Sequence, residues 1–65
     1  MIAELEAYLK KQQFEHAQSF IPTLKNLFYD QAEIFHMIEQ LELEIEAKSH
    51  ASLQTLQRVK LLLVA

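Results

Sequence analysis

The sequence predicts an all-α fold: three to four short helices packed as antiparallel helical hairpins, in one small domain spanning residues 1–65. Three observations carry that prediction. Gly is absent and Pro occurs once, at Pro22, whereas strands joined by tight turns usually need glycine at their corners. Hydrophobic residues make up 51% of the chain, which argues for a packed core and against a disordered tail. Those apolar residues recur at spacings of three and four, the period of a helix face.

The first segment, Ile2 to about Gln12, places Ile2, Leu5, Tyr8 and Leu9 on one face, with Ala3, Glu4, Glu6 and Ala7 favouring helix between them. The polar run Lys10 to Gln13 is either a break or the solvated side of a longer helix. Phe14, Ala17, Phe20 or Ile21, Leu24 and Phe28 then follow a helical period that Pro22 interrupts. Proline lacks the backbone donor and clashes one turn back, so a kink or boundary is expected near Phe20 and Ile21, with Ser19 available to cap a restart.

The strongest single pattern runs from Tyr29 to Lys48. Asp30 and Glu33 have the spacing of a capping box, and Tyr29 and Ile34 that of a hydrophobic staple. Ile34, Ile38, Leu41 and Ile45 then line one face, and Lys48 suits the negative pole of the helix. After Ser49 to Ser52, the residues Leu53, Leu56, Val59 and Leu63 offer the apolar face of a last helix. One uninterrupted helix from Asp30 onward is the alternative, but it would leave much apolar surface wet.

The formal net charge of −3 hides an asymmetry. Asp30 to Ala47 carries acids and no base, whereas Lys48 to the end carries bases and no acid. An antiparallel hairpin would bring Arg58 and Lys60 near Glu39 and Glu42, in pairs that set orientation more than stability. No basic patch suited to a phosphate backbone is present, so nucleic acid is not an expected partner. The absence of Cys, of a signal-peptide pattern and of a membrane-spanning apolar run points to a cytoplasmic protein with no membrane partner.

Glu33 and His36 form the E-x-x-H spacing by which di-iron bundles present ligands. The nearest second pair, Glu46 and His50, has the wrong spacing, so both read as polar surface, and neither a metal nor another cofactor is expected. Without Cys, a Gly-rich phosphate loop or a serine in a nucleophile motif, the chain has no recognisable catalytic set and reads as a non-enzyme.

The stretch Tyr8 to Leu24 resembles the inter-helix corner of a tetratricopeptide repeat. Phe14 and Ala17 stand where that family places an aromatic and a small residue at the helix contact, with Tyr8 before and Ile21 after them. A fainter copy follows 34 positions on, where His16 and Ala17 recur as His50 and Ala51 and where Phe35 and Ile38 fit the opening of a first helix. Leu5, Glu39, Glu42 and Thr55 depart from the pattern, as does Pro22 inside the second helix. In size and acidity the chain is also similar to small helical chaperones and cochaperones of bacterial secretion and flagellar export. Too many large apolar residues for so small a fold, with no catalytic or ligand-binding set, point to a protein-binding module, most concretely a chaperone or cochaperone that buries an apolar face against a partner. A structural homodimeric bundle is the rival reading and a metal-binding bundle a remote one.

Large apolar residues exceed what one helical face each can hide. Phe28, Tyr29, Phe35, Met37, Leu61 and Leu62 are the expected partner-binding residues, for a protein partner or a homo-oligomer. Leu61 in particular is rotated by about 100° from its neighbours and away from the expected core stripe.

Overall fold

A computed structural model describes residues 1–64, and among them every regular element is helical. The first helix, α1 (Ile2–Lys10), buries Leu5 and Leu9 and leaves Ile2 and Tyr8 half-buried on the same face. It ends in two reciprocal backbone bonds: the Gln12 N–H donates to the Leu9 carbonyl (3.1 Å) and the Gln13 N–H to the Tyr8 carbonyl (2.9 Å). This is a Schellman motif, and Gln12 takes the left-handed position at φ 59 where glycine is usual. The polar run is therefore a break.

The next helix comes in two pieces, α2 (Phe14–Gln18) and α3 (Ile21–Leu27). Pro22 sits in the first turn of α3, where its missing N–H would have had no helical acceptor. The boundary expected near Phe20 and Ile21 is present. Ser19 does not cap the restart; its hydroxyl donates back to the His16 carbonyl at 2.6 Å.

The fourth segment, α4 (Ala32–Glu46), buries Ile34, Ile38, Leu41 and Ile45 as the spacing predicts, but it does not begin as expected. Gln31 is the N-cap, no side chain caps the helix, and Tyr29 is 76% exposed. The capping box and the staple are absent because the chain is still turning at Tyr29 and Asp30, where the Gln31 N–H bonds the Phe28 carbonyl (3.0 Å). Asp30 thus stands one residue upstream of the capping position. Glu33 keeps a favourable place in the first turn at the positive pole.

A second Schellman motif closes α4: the Lys48 N–H donates to the Ile45 carbonyl (3.0 Å) and the Ser49 N–H to the Glu44 carbonyl (2.8 Å), with Lys48 at φ 54. Ser49 then accepts the Ala51 N–H on its hydroxyl (3.1 Å) and α5 (Ala51–Val64) begins. The hairpin is thus observed rather than one long helix. Its second face differs from the expected stripe: Ser52, Thr55, Leu56 and Val59 are buried, Leu53 and Leu62 half-buried, and Leu63 exposed. Small side chains near the turn let α5 lie close to α4, and the Thr55 hydroxyl is satisfied by the Glu44 carboxylate. That rotation turns Leu62 inward in place of Leu63.

The elements close into a ring. α1 packs on α2 and α5, and α4 packs on α2, α3 and α5. The result is a small four-helix bundle whose second helix is broken at Pro22, with Leu5, Ala17, Ile38, Leu41 and Leu56 fully buried at its centre. Its accessible surface, 4289 Å², matches the roughly 4,300 Å² expected of a folded monomer of this mass. By that measure the bundle is as compact as a folded monomer of its mass.

Cross-ring ion pairs differ from the expected ones. Lys60 lies 3.2 Å from Glu6 on α1, Lys25 lies 2.7 Å from Glu42, and Arg58 is exposed. The hairpin register does place residue 60 level with residue 39, since Glu44 meets Thr55. Lys60, however, projects from the flank of α5 that faces α1.

Candidate interaction surface

The ring topology gives the bundle two unlike ends. One end holds the start of α1, the α3–α4 corner and the last turn of α5. Register fixes this: Glu6 meets Gln57 and Lys60, which sets Met1 level with Leu63 and Val64. A recess of about 280 Å³ at the same end is lined by Gln31, Ala32, Glu33, Ile34 and Leu62, joining the first turn of α4 to α5.

Most of the exposed large hydrophobic side chains lie in this half of the bundle, on more than one face of it. Met1, Leu27, Tyr29, Leu63 and Val64 belong to this end, Leu61 projects outward from the last turn of α5, level with Ile38, and Leu43 lies on the outward side of α4. Tyr29 at 76%, Leu61 at 67% and Val64 at 83% exposed make no contribution to the core. The opposite end is built from the two Schellman turns and is polar. Gln12, Gln13, His16 and Lys48 line an open cleft of about 540 Å³ there, together with Phe14 and Glu15.

The six residues expected to bind a partner divide in two. Tyr29 is exposed at the end that holds the α3–α4 corner, and Leu61 projects outward from α5. Phe28 and Leu62 belong to the same end but pack partly on the core, as does Met37 further along α4, and Phe35 is half-buried. Met1, Leu27 and Val64 were not among the expected partner-binding residues, and Leu63 was expected on the core face of the last helix. Each is ordinary in its own helix, and only the closed ring brings them together.

Charge follows the same axis. Glu4, Asp30 and Glu33 are exposed around the end that holds the α3–α4 corner. No Lys or Arg occurs in residues 1–9, 26–47 or 61–65. The α-ammonium of Met1 lies 3.8 Å from Glu4. The side-chain cations nearest this end, Lys25 and Lys60, are held by Glu42 and Glu6. The Gln57 amide and then the Lys60 ammonium, both donating to Glu6, hold its carboxyl below the ordinary glutamate range. The hydrogen bond to Glu42 raises the Lys25 ammonium above the ordinary lysine range. Lys10, Lys11 and Lys48 stand at the opposite end.

The E-x-x-H pair is on the surface, with His36 Nδ1 3.3 Å from a Glu39 carboxylate oxygen. Among the described residues no group of three or more His, Asp or Glu side chains is placed to hold a metal ion, and no helix is long and apolar enough to cross a membrane. No protein-family model matches the chain, and comparisons with curated proteins and with solved structures found no match.

Proposed function

We propose that the chain is a protein-interaction module that buries exposed apolar side chains against a partner protein, most concretely as a small chaperone or cochaperone that shields apolar surface. The observation that carries this reading is the surplus of large apolar side chains, Tyr29, Leu61, Leu63 and Val64, left exposed on so small a bundle. At the corner between α1 and α2, Ala17 is fully buried and Tyr8 stacks on His16 with centroids 5.2 Å apart. Packing of α5 on α1 favours a closed bundle over an open superhelix.

The test is capture from the host by the tagged chain and by two variants. Leu61→Glu should lose a specific partner that the wild type retains, while Leu43→Glu, on the outward side of α4, should keep it. Equal capture by all three would take the exposed apolar side chains out of the proposal.

A further inference from the structure

We infer that α1 is an exchangeable element: two copies of this chain trade first helices, each seating its α1 against the other's α2 and α5. The inference is independent of the interaction reading above, because the seat that α1 fills lies in the bundle's core and not among its exposed apolar side chains.

Three observations carry it. The first is the hinge. Lys10, Lys11, Gln12 and Gln13 are all good helix formers, yet Gln12 is held at φ 59, where a residue with a side chain is strained. Backbone bonds close this turn, and α2 starts at Gln13 with no side-chain cap. Straightening residues 11–13 into helix releases the strain. It also joins α1 to α2 as one rod from Ile2 to Gln18, about 25 Å long. Short hinges under strain invite exchange of the element they carry.

The second is the seat. α1 packs on α2 and α5 and buries Leu5 and Leu9 there. The Glu6 carboxylate accepts the Gln57 amide and the Lys60 ammonium, a clasp that fixes the register of α1 on α5. Every one of these partners follows the hinge in sequence, so the α1 of a second copy meets the same groups. Two rods laid antiparallel put each α1 against the other's α2 and close the pair with two-fold symmetry. The contacts of the closed form are thus kept. What opposes exchange is the entropy of association and the approach of two ends that each carry Lys10, Lys11 and Lys48, a repulsion that salt screens.

The third is the contrast with the helix at the other end of the chain. Lys48 at φ 54 also closes a turn, but there the Ser49 hydroxyl accepts the Ala51 N–H and holds the start of α5. α5 also buries Ser52, Thr55, Leu56 and Val59, against Leu5 and Leu9 alone for α1. The first helix is the easier one to release.

The test is complementation at the clasp. Glu6→Lys and Lys60→Glu each oppose like charges between α1 and α5 in a closed monomer. In an exchanged dimer of the two variants, both clasps pair opposite charges again. The variants are unfolded together in urea, refolded at about 1 mM protein in about 0.5 M salt, and sized by light scattering. The mixture should form a dimer of one copy each, at least about tenfold tighter than either variant alone. The exposed pair Glu39→Lys and Arg58→Glu, which makes the same changes of net charge away from α1, should not. With one variant isotope-labelled, filtered nuclear Overhauser effects should join the α1 of one copy to the α5 of the other. Adding Gln12→Gly to both variants should weaken the mixed dimer about tenfold or more, because glycine suits the closed turn and disfavours the rod at both hinges. Leu61→Gln should leave the dimer unchanged.

If a clasp variant fails to fold, the wild-type chain carries the test: it should dimerise at about 1 mM, and Gln12→Gly should remove that dimer. A folded mixture that stays monomeric, or a dimer formed equally by the control pair, would overturn the exchange. So would a dimer without effects between α1 and α5, one that Gln12→Gly leaves untouched, or one that Leu61→Gln dissolves. In the fallback, a wild type monomeric at about 1 mM would overturn it.

Discussion

Two residues in the left-handed region close the two hairpin turns of a chain that has no glycine, and relieving one of them makes a quantitative test of the fold. Lys48 at φ 54 occupies the position after the α4 C-cap. A side-chain-bearing residue there costs about 1–2 kcal/mol relative to the right-handed region. Glycine removes that cost but gives the unfolded chain more freedom, worth about 0.4–1 kcal/mol. Loss of the lysine charge at the negative pole of the helix subtracts about 0.3 kcal/mol more. Lys48→Gly is therefore expected to stabilise the bundle slightly, by about 0.5 kcal/mol. Gln12→Gly, which carries no charge correction, should stabilise it by about 0.5–1 kcal/mol. With an m-value near 1 kcal/mol/M for so small a chain, the urea midpoint should rise by about 0.5 M or more for Gln12→Gly. Ala47→Gly, at a right-handed position, should instead lower it. A loss of about 1 kcal/mol for Lys48→Gly, the usual cost of glycine inside a helix, would mean that α4 and α5 are continuous and the ring is not as described.

Three further outcomes follow from the helix ends and the ion pairs. Asp30→Ala should leave urea unfolding unchanged within about 0.5 kcal/mol, whereas Gln31→Asp should stabilise by about 0.5–1 kcal/mol by supplying the absent cap. Pro22→Ala should cost about 0.4–1 kcal/mol in thermal or urea unfolding, because Pro22 lies in a first turn its ring already fits and loses less chain entropy there. Stability should fall in acid partly through Glu6. Its folded pKa is lowered, so its contribution is present above the unfolded glutamate pKa and is lost as pH falls through the folded one. Glu6→Gln should flatten that part of a urea-midpoint-against-pH curve below about pH 4.3, the ordinary glutamate value.

The fold was legible where side-chain pattern determines structure. The spacing of Ile34, Ile38, Leu41 and Ile45 names a buried face with no tertiary knowledge, and Pro22 marks a boundary by its own chemistry. Helix ends were less legible. Asp30 and Glu33 match a capping box, but the α3–α4 corner uses their neighbourhood for a turn, and capping tolerates no shift of one residue. The Schellman turns at Gln12 and Lys48 gave no sequence signal because the usual glycine is missing from both. Ion pairs required azimuth as well as register, so Lys60 was matched to the right height on the wrong helix. The turn of α5 that exchanges Leu62 for Leu63 depends on Ser52 and Thr55 packing inward, which polarity argues against until Glu44 is seen to satisfy Thr55. Tyr29 and Leu61 were legible as surplus apolar residues. That they lie in the same half of the bundle as Met1, Leu27 and Val64 follows only from ring closure.

The central claim is that the bundle folds without its exposed apolar side chains, and paired urea unfolding of Leu61→Glu and Leu56→Glu tests it most directly. Leu61 is 67% exposed, and Leu56, one and a half turns earlier in α5, is fully buried. Leu61→Glu should keep the helical circular dichroism and unfold within about 0.5 kcal/mol of wild type, as exposed substitutions do. Leu56→Glu buries a charge without a partner and should lose several kcal/mol, enough to unfold a chain of this size. Unfolding of both variants alike would place Leu61 in the core and take away the surplus of apolar surface on which the interaction reading stands.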